Sequence, residues 1–167
     1  QYTAFAGRGT EYDRAEAAVD LKPGTTTALT LEIHRAVDTT GYVGADFHLH
    51  SQYSLDSNAS LKDRISSYAG EGVEYAVATD HNYVVDYQPV LQQLGLEKHL
   101  NTAIGLELTT IDRGHFNGFP LRRAEGALSD GNIASRTYGS FEWATRTPTQ
   151  IFDSLRALGQ KDASGNV

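Results

Sequence analysis

Ala45-Asp46-Phe47-His48-Leu49-His50-Ser51 places two histidines two residues apart at the end of an apolar segment. Tyr42-Val43-Gly44-Ala45-Asp46-Phe47 reads as a buried strand, and side chains repeat every two residues on a strand, so both imidazoles should point to one face. At a strand end, that is a preformed pair of nitrogen ligands for a divalent metal. Alone, the pair could equally be two polar side chains leaving a strand. Three further segments change the balance. Thr79-Asp80-His81-Asn82 follows the apolar run Tyr75-Ala76-Val77-Ala78, Glu107 follows Ala103-Ile104-Gly105-Leu106, and Gly114-His115-Phe116-Asn117 opens another extended stretch. A residue of metal-ligand type thus recurs at one end of each candidate strand, which is how an α/β barrel assembles a site at one face.

Working outward, the intervening segments read as helices. Ser60 with Asp63 three residues on forms a capping box, with Leu61, Ile65, Tyr68 and Ala69 as the inner stripe and Gly70 and Gly72 as the stop. A second helix is expected from about Asp86 to Gly95, with Val90, Leu91 and Leu94 inward, and strands are expected over Glu74–Ala78, Asn101–Leu106 and Gly114–Leu121. Residues 122–145 read as a long loop anchored by Phe141 and Trp143. The last helix begins with Thr147 as cap, Pro148 at its first position and Gln150 closing the box, carries Ile151, Phe152, Leu155 and Leu158 on one face, and stops at Gly159. The order predicts an α/β fold with a mostly parallel sheet. Residues 1–40 form a separate β-rich segment. Ala17–Leu21 leads into a Lys22-Pro23-Gly24 turn, and a strand over Thr27–His34 places Leu29, Leu31 and Ile33 on one face.

Composition narrows the partners. An apolar fraction of 40% and a charged fraction of 21% fit a packed globular chain rather than a disordered one. The net charge of −7 and the lack of a basic stripe argue against nucleic acid, and no apolar run is long enough to span a membrane. A phosphorylated small substrate stays compatible, because bound cations invert the local field. Cysteine is absent, so disulfides and thiolate metal sites are excluded. Methionine is absent even at position 1, which suggests a processed chain or a piece of a longer one. No Gly-x-Gly-x-x-Gly or Walker loop stands at a strand–helix junction, so a metal-free nucleotide-binding reading lacks support.

Together, the stretches DFHLHS, SLD, ATDHN, GLELTT and GHFNGFPL, spread over about Tyr42 to Gly159, resemble the PHP superfamily, named for its polymerase-associated and histidinol-phosphatase members. Within it, the chain looks most like the bacterial carbaryl-hydrolase-like metallohydrolases, where a β-rich segment often precedes the domain. The resemblance implies a β-rich segment over residues 1–40, the end of a β-sandwich-like domain, and the N-terminal portion of a PHP domain over residues 41–167. The latter would be part of a distorted (β/α)7 barrel holding two or three Zn, Mn or Fe ions.

By the same resemblance the first ion takes His48, His50 and a bridging Glu107, and the second takes Glu107 and His115. A third takes Asp56 and His81, while Asp80 supports the ligands from behind. A complete domain of this kind also supplies a later histidine and an Asp-x-His that these residues lack, so a fragment is expected. Export to the periplasm or beyond is an expectation of the resemblance alone.

The expected activity is metal-dependent hydrolysis, most simply of a phosphoester, by a hydroxide shared between two ions. Glu107 and Asp80 would act in the site, and Arg113 or Arg122 would steady the phosphate. A carboxyl or carbamate ester could be cleaved by the same hydroxide, and a non-catalytic binding fragment is the remaining alternative. His34, His99, the Arg122-Arg123 pair and Trp143 are read as structural or solvated. An open sheet edge near Gly114–Leu121 would favour association; the oligomeric state is otherwise left open.

Overall fold

The computed structural model describes residues 1–122 and 143–165. The expectations placed on Arg123 and Phe141 lie outside them. Trp143 does pack on a core cluster, as an anchor should.

The site is carried by a three-stranded parallel sheet of β3 (Ala45–Leu49), β4 (Tyr75–Ala78) and β5 (Asn101–Ala103), in that order. Two helices return the chain between these strands. In α1 (Leu61–Gly70) the Ser60 side chain accepts from the Asp63 N–H, satisfying one of the donors a helix start leaves open. Leu61, Ile65 and Ala69 are buried, the period expected of an amphipathic face. In α2 (Gln88–Leu94) Val90 and Leu91 are buried and Gly95 ends the helix in the left-handed region, at φ 66°. Together with Leu49, Tyr53, Ala76, Ala78, Val85, Tyr87 and Leu100 these side chains make the first core. Burying a Leu- or Ile-sized side chain contributes ~1.5–3 kcal/mol, so this cluster is the main support of the sheet that presents His48, His50 and His81.

The strand expected over Asn101–Leu106 is broken. β5 ends at Ala103, and Leu106–Thr109 forms β6, which turns back and pairs antiparallel with β7 (His115–Gly118). Gly105 is the pivot. A Cβ there would meet the Ala78 carbonyl oxygen and lie 2.9 Å from the Gly118 carbonyl oxygen, so only glycine passes between the two backbones. Glu107 consequently sits inside β6, opposite Asn117, rather than just beyond a strand. Leu106, Leu108 and Phe116 face a second core with Ile151 and Leu155 of α3 (Pro148–Leu158), whose Thr147–Gln150 capping box forms as expected.

Other expectations need correction. The segment before His48 is not a buried strand: Tyr42, Val43 and Phe47 are exposed. β3 starts only at Ala45 and its pairing slips between Asp46 and Leu49, where the Asp46 carboxylate takes the His48 N–H at 3.0 Å. In residues 1–40 only β1 (Tyr2–Ala6) and β2 (Ala15–Val19) pair, antiparallel. The strand expected over Thr27–His34 does not form. Its end is held instead by bonds to residues 11–13 around one Tyr12–Arg35 bridge, including His34 N–H to Asp13 at 2.6 Å.

No closed barrel is present among the described residues; the strands lie in three small sheets. The edge expected to be open over Gly114–Leu121 is covered at its far end, where the Leu121 N–H donates to the Ile104 carbonyl and the Arg122 N–H to that of Leu158. None of the described helices is long and apolar enough to cross a membrane.

Candidate metal centre

Six side chains from four segments meet at the C-terminal end of the parallel sheet. His48 is the last residue but one of β3, His50 and Asp56 stand in the loop that follows it, His81 follows β4, and Glu107 and His115 come from β6 and β7. The hairpin register explains the last two. Glu107 opposes Asn117 and Thr109 opposes His115, so by the two-residue period Glu107, Thr109, His115 and Asn117 share one face. The other face carries the leucines of the second core.

Glu107 is the hub, at 1% exposure. Its Oε2 lies 3.0 Å from His48 Nε2, 3.1 Å from His50 Nε2 and 3.4 Å from His81 Nδ1, and its Oε1 lies 2.5 Å from His115 Nδ1. Asp56, at the exposed rim, spans the other side, with Oδ1 3.3 Å from His50 Nδ1 and Oδ2 3.3 Å from His81 Nε2. Burial pushes the Glu107 carboxyl up, but hydrogen bonding to His48 and His115 and the field of His81 outweigh it and hold the group below its ordinary range. Asp56 is likewise lowered: its desolvation is outweighed by His50 and His81.

Three trios have ligand atoms close enough for one ion each: His48–His50–Glu107, His81–Glu107–His115 and His50–Asp56–His81. Each offers only imidazole nitrogen and carboxylate oxygen, a donor set that suits Zn, Mn or Fe and not a thiolate-seeking ion. A buried carboxylate with four imidazole nitrogens gathered about it is a donor set that divalent cations would satisfy. The residues present therefore fit the ions.

The structure brings together all six candidate ligands. It does not bring in Arg113, whose guanidinium donates to the Arg146 carbonyl and lies 3.8 Å from Asp112. Asp80 is fully buried and lies behind the ligands. Its Oδ1 accepts from the Ser51 N–H at 2.6 Å, Ser51 Oγ at 2.9 Å and Ser54 Oγ at 3.1 Å, and its Oδ2 accepts from the Tyr87 hydroxyl at 2.9 Å. Burial first, then the charge and hydrogen bond of Asp80, push the Tyr87 hydroxyl's pKa well up, so it stays a donor.

Several participants had not been singled out in the sequence. Thr109 Oγ1 touches His81 Nδ1, Asn82 Oδ1 accepts from the Thr109 N–H at 2.9 Å, and Asn117 approaches His48 Nδ1 at 3.5 Å. Asn82 holds φ at 62°, a left-handed conformation that asparagine tolerates better than most residues, and its N–H donates to the Glu107 carbonyl at 2.7 Å. Its place directly after His81 was the available signal.

An α/β chain whose strands and their loops gather imidazoles around a shared carboxylate is compatible with divalent metal binding. The chain belongs to the PHP domain family, whose model matches residues 46–152. That family consists in general of hydrolytic metalloenzymes. No curated protein and no solved structure matches the chain.

Proposed function

We propose that the chain carries a divalent-metal-dependent phosphoesterase centre. The observation supporting this is the sharing of Glu107 between two trios, one with His48 and His50 and one with His81 and His115. Two ions on one carboxylate suit an in-line displacement at phosphorus, where attacking and leaving oxygens need stabilising together. When bound, such ions acidify a water molecule and neutralise charge building on the substrate's oxygens.

The chain's own residues do the rest. His48 and His50 hold one position, and His81 and His115 the other. Asp56, exposed at the rim between His50 and His81, would serve the third position with His81. Arg113, in the turn before His115, is assigned to the substrate's phosphate once its guanidinium leaves the Arg146 carbonyl. In this reading β3, β4 and β5 begin a distorted (β/α)7 barrel within residues 41–167, and residues 1–40 are a β-rich segment preceding it.

The test is turnover of a generic phosphodiester and phosphomonoester beside an aryl carbamate ester, using protein purified without chelators and supplied with Mn or Zn. Phosphoester cleavage that exceeds carbamate cleavage and disappears with EDTA is expected. A preference for the carbamate would replace the phosphoesterase reading by an ester-hydrolase one. Bound ions with no turnover of either would leave a binding module.

A further inference from the structure

Consecutive residues of a strand face opposite sides of the sheet, and β3 departs from that rule at one point. In its parallel pairing with β4, Asp46 stands opposite Ala76 and Leu49 opposite Ala78. Three steps along β3 match two along β4, so β3 carries one extra residue, a β-bulge over Phe47-His48. The side-chain contacts agree. Asp46 reaches α1, where its Oδ2 accepts from the Tyr68 hydroxyl at 2.9 Å, and Leu49 lies in the first core with Ala76 and Ala78. Both face the helices although they stand three positions apart. Phe47 and His48, adjacent in sequence, both face the other way. Phe47 stacks on Phe119 with ring centroids 5.7 Å apart, and His48 Nε2 lies 3.0 Å from Glu107 Oε2. On an unbulged strand His48 would fall opposite Ala78 and point with it into the core beneath the helices.

An extra strand residue leaves a backbone N–H without its ladder partner. Here the His48 N–H donates to Asp46 Oδ1 at 3.0 Å, so one carboxylate joins the bulge to α1. Beyond the bulge, the Leu49 N–H donates to Thr79 Oγ1 at 2.8 Å. The Thr79 N–H and hydroxyl donate back to the Leu49 carbonyl, which restarts the pairing.

We propose that Asp46, held by Tyr68, is a positioning residue whose carboxylate maintains the bulge that turns His48 from the helix face of the sheet to the Glu107 face. It acts through the backbone, from the side of β3 opposite the candidate ligands. The orientation of His48 rests on strand geometry alone; its effect on a bound ion rests on the metal-centre reading above.

The test separates the two. Nuclear Overhauser contacts in the metal-free protein read the orientation. Wild type should show the His48 ring beside Asn117, whose Nδ2 lies 3.5 Å from His48 Nδ1. Asp46→Ala should lose that contact, while Asp46→Asn, which keeps an acceptor for the His48 N–H, should retain it. An Asp46→Ala protein with the contact intact would overturn the proposal. Zn affinity is then measured by competition with a chromophoric chelator. Asp46→Ala should bind ~10–100-fold more weakly, the usual loss when a group that orients a ligand is removed, with Asp46→Asn close to wild type. Because Asp46 acts through His48, the double variant Asp46→Ala/His48→Ala should bind no worse than His48→Ala alone. Losses that multiply would show a merely structural carboxylate and overturn the proposal. Should Asp46→Ala fail to fold, hydrogen exchange at the wild-type His48 amide decides: protection is expected, and exchange at the unprotected rate would overturn it. Absence of Zn binding by the wild-type chain would count against the metal centre itself, leaving the Overhauser contacts to decide the role of Asp46.

Discussion

Glu107→Gln is expected to empty the centre. Four imidazole nitrogens lie within 3.4 Å of this one carboxylate, and it is the residue common to the two trios that would hold neighbouring ions. Glutamine keeps the volume but removes the charge, and it places an amide N–H₂ where one of the two oxygens faces nitrogen. Removing one partner of a buried charge pair costs ~3–5 kcal/mol, because the other groups remain buried without compensation. At 1.4 kcal/mol per factor of ten, that is a loss of ~10² to ~4 × 10³ in affinity at both positions together. Metal content per chain by elemental mass spectrometry, with circular dichroism to verify folding, is the measurement. An unchanged metal content in folded Glu107→Gln protein would mean that the ions, if any, sit elsewhere.

Gly105→Ala should be the most damaging small change in the fold. The new methyl would be driven against the carbonyl oxygens of Ala78 and Gly118, which are backbone atoms of β4 and β7 and cannot rotate away. Overpacking of this kind costs ~1–3 kcal/mol, and more where only backbone can yield. A stability of ~5–15 kcal/mol is usual for a domain, so the change removes a large part of it. Relief would require the β6–β7 hairpin to move outward, carrying Glu107 and His115 away from His48, His50 and His81. The expected result is a lower denaturation midpoint together with weakened metal binding. For contrast, Gly7→Ala meets open space and should be silent in both assays. Equal behaviour of the two alanine variants would refute the pivot role of Gly105.

Much of the site could be read from residue types and spacing. His48 and His50 stand out because a two-residue interval near a strand end puts both rings at the same place. His81, Glu107 and His115 stand out because each closes or opens an apolar run. The helix starts at Ser60 and Thr147 were legible because capping is local chemistry, settled within four residues.

The misreadings share a different cause. Ala103-Ile104-Gly105-Leu106 looks like one apolar strand, and only the approach of Ala78 and Gly118, distant in sequence, forces the break at Gly105. Thr27–His34 alternates correctly, but alternation does not supply a neighbouring strand to pair with. The role proposed for Arg113 rests on charge and position alone; that its guanidinium meets the Arg146 carbonyl, thirty-three residues along the chain, is equally invisible in the local sequence. Ser54, Thr109 and Tyr87 carry no distinguishing signature as serine, threonine and tyrosine. Their importance lies in which hydrogen-bonding atoms they meet, and that is decided by tertiary structure.

The join between the hairpin and the parallel sheet has a consequence for the life of the protein. Backbone pairing between them is limited to isolated bridges, His81 with Glu107 and Val85 with Gly105, yet the candidate ligands straddle the seam. An ion held by His48, His50 and Glu107 would act as a rivet between two sheets that the peptide ladder scarcely connects. A ligand that binds only the assembled form and is present at a hundred times its Kd adds ~2.7 kcal/mol to apparent stability. A difference of that size alters how often a chain opens to proteases, and hence its abundance. The persistence of this protein would then track the supply of its metal: durable where the ion is plentiful, and short-lived where it is scarce.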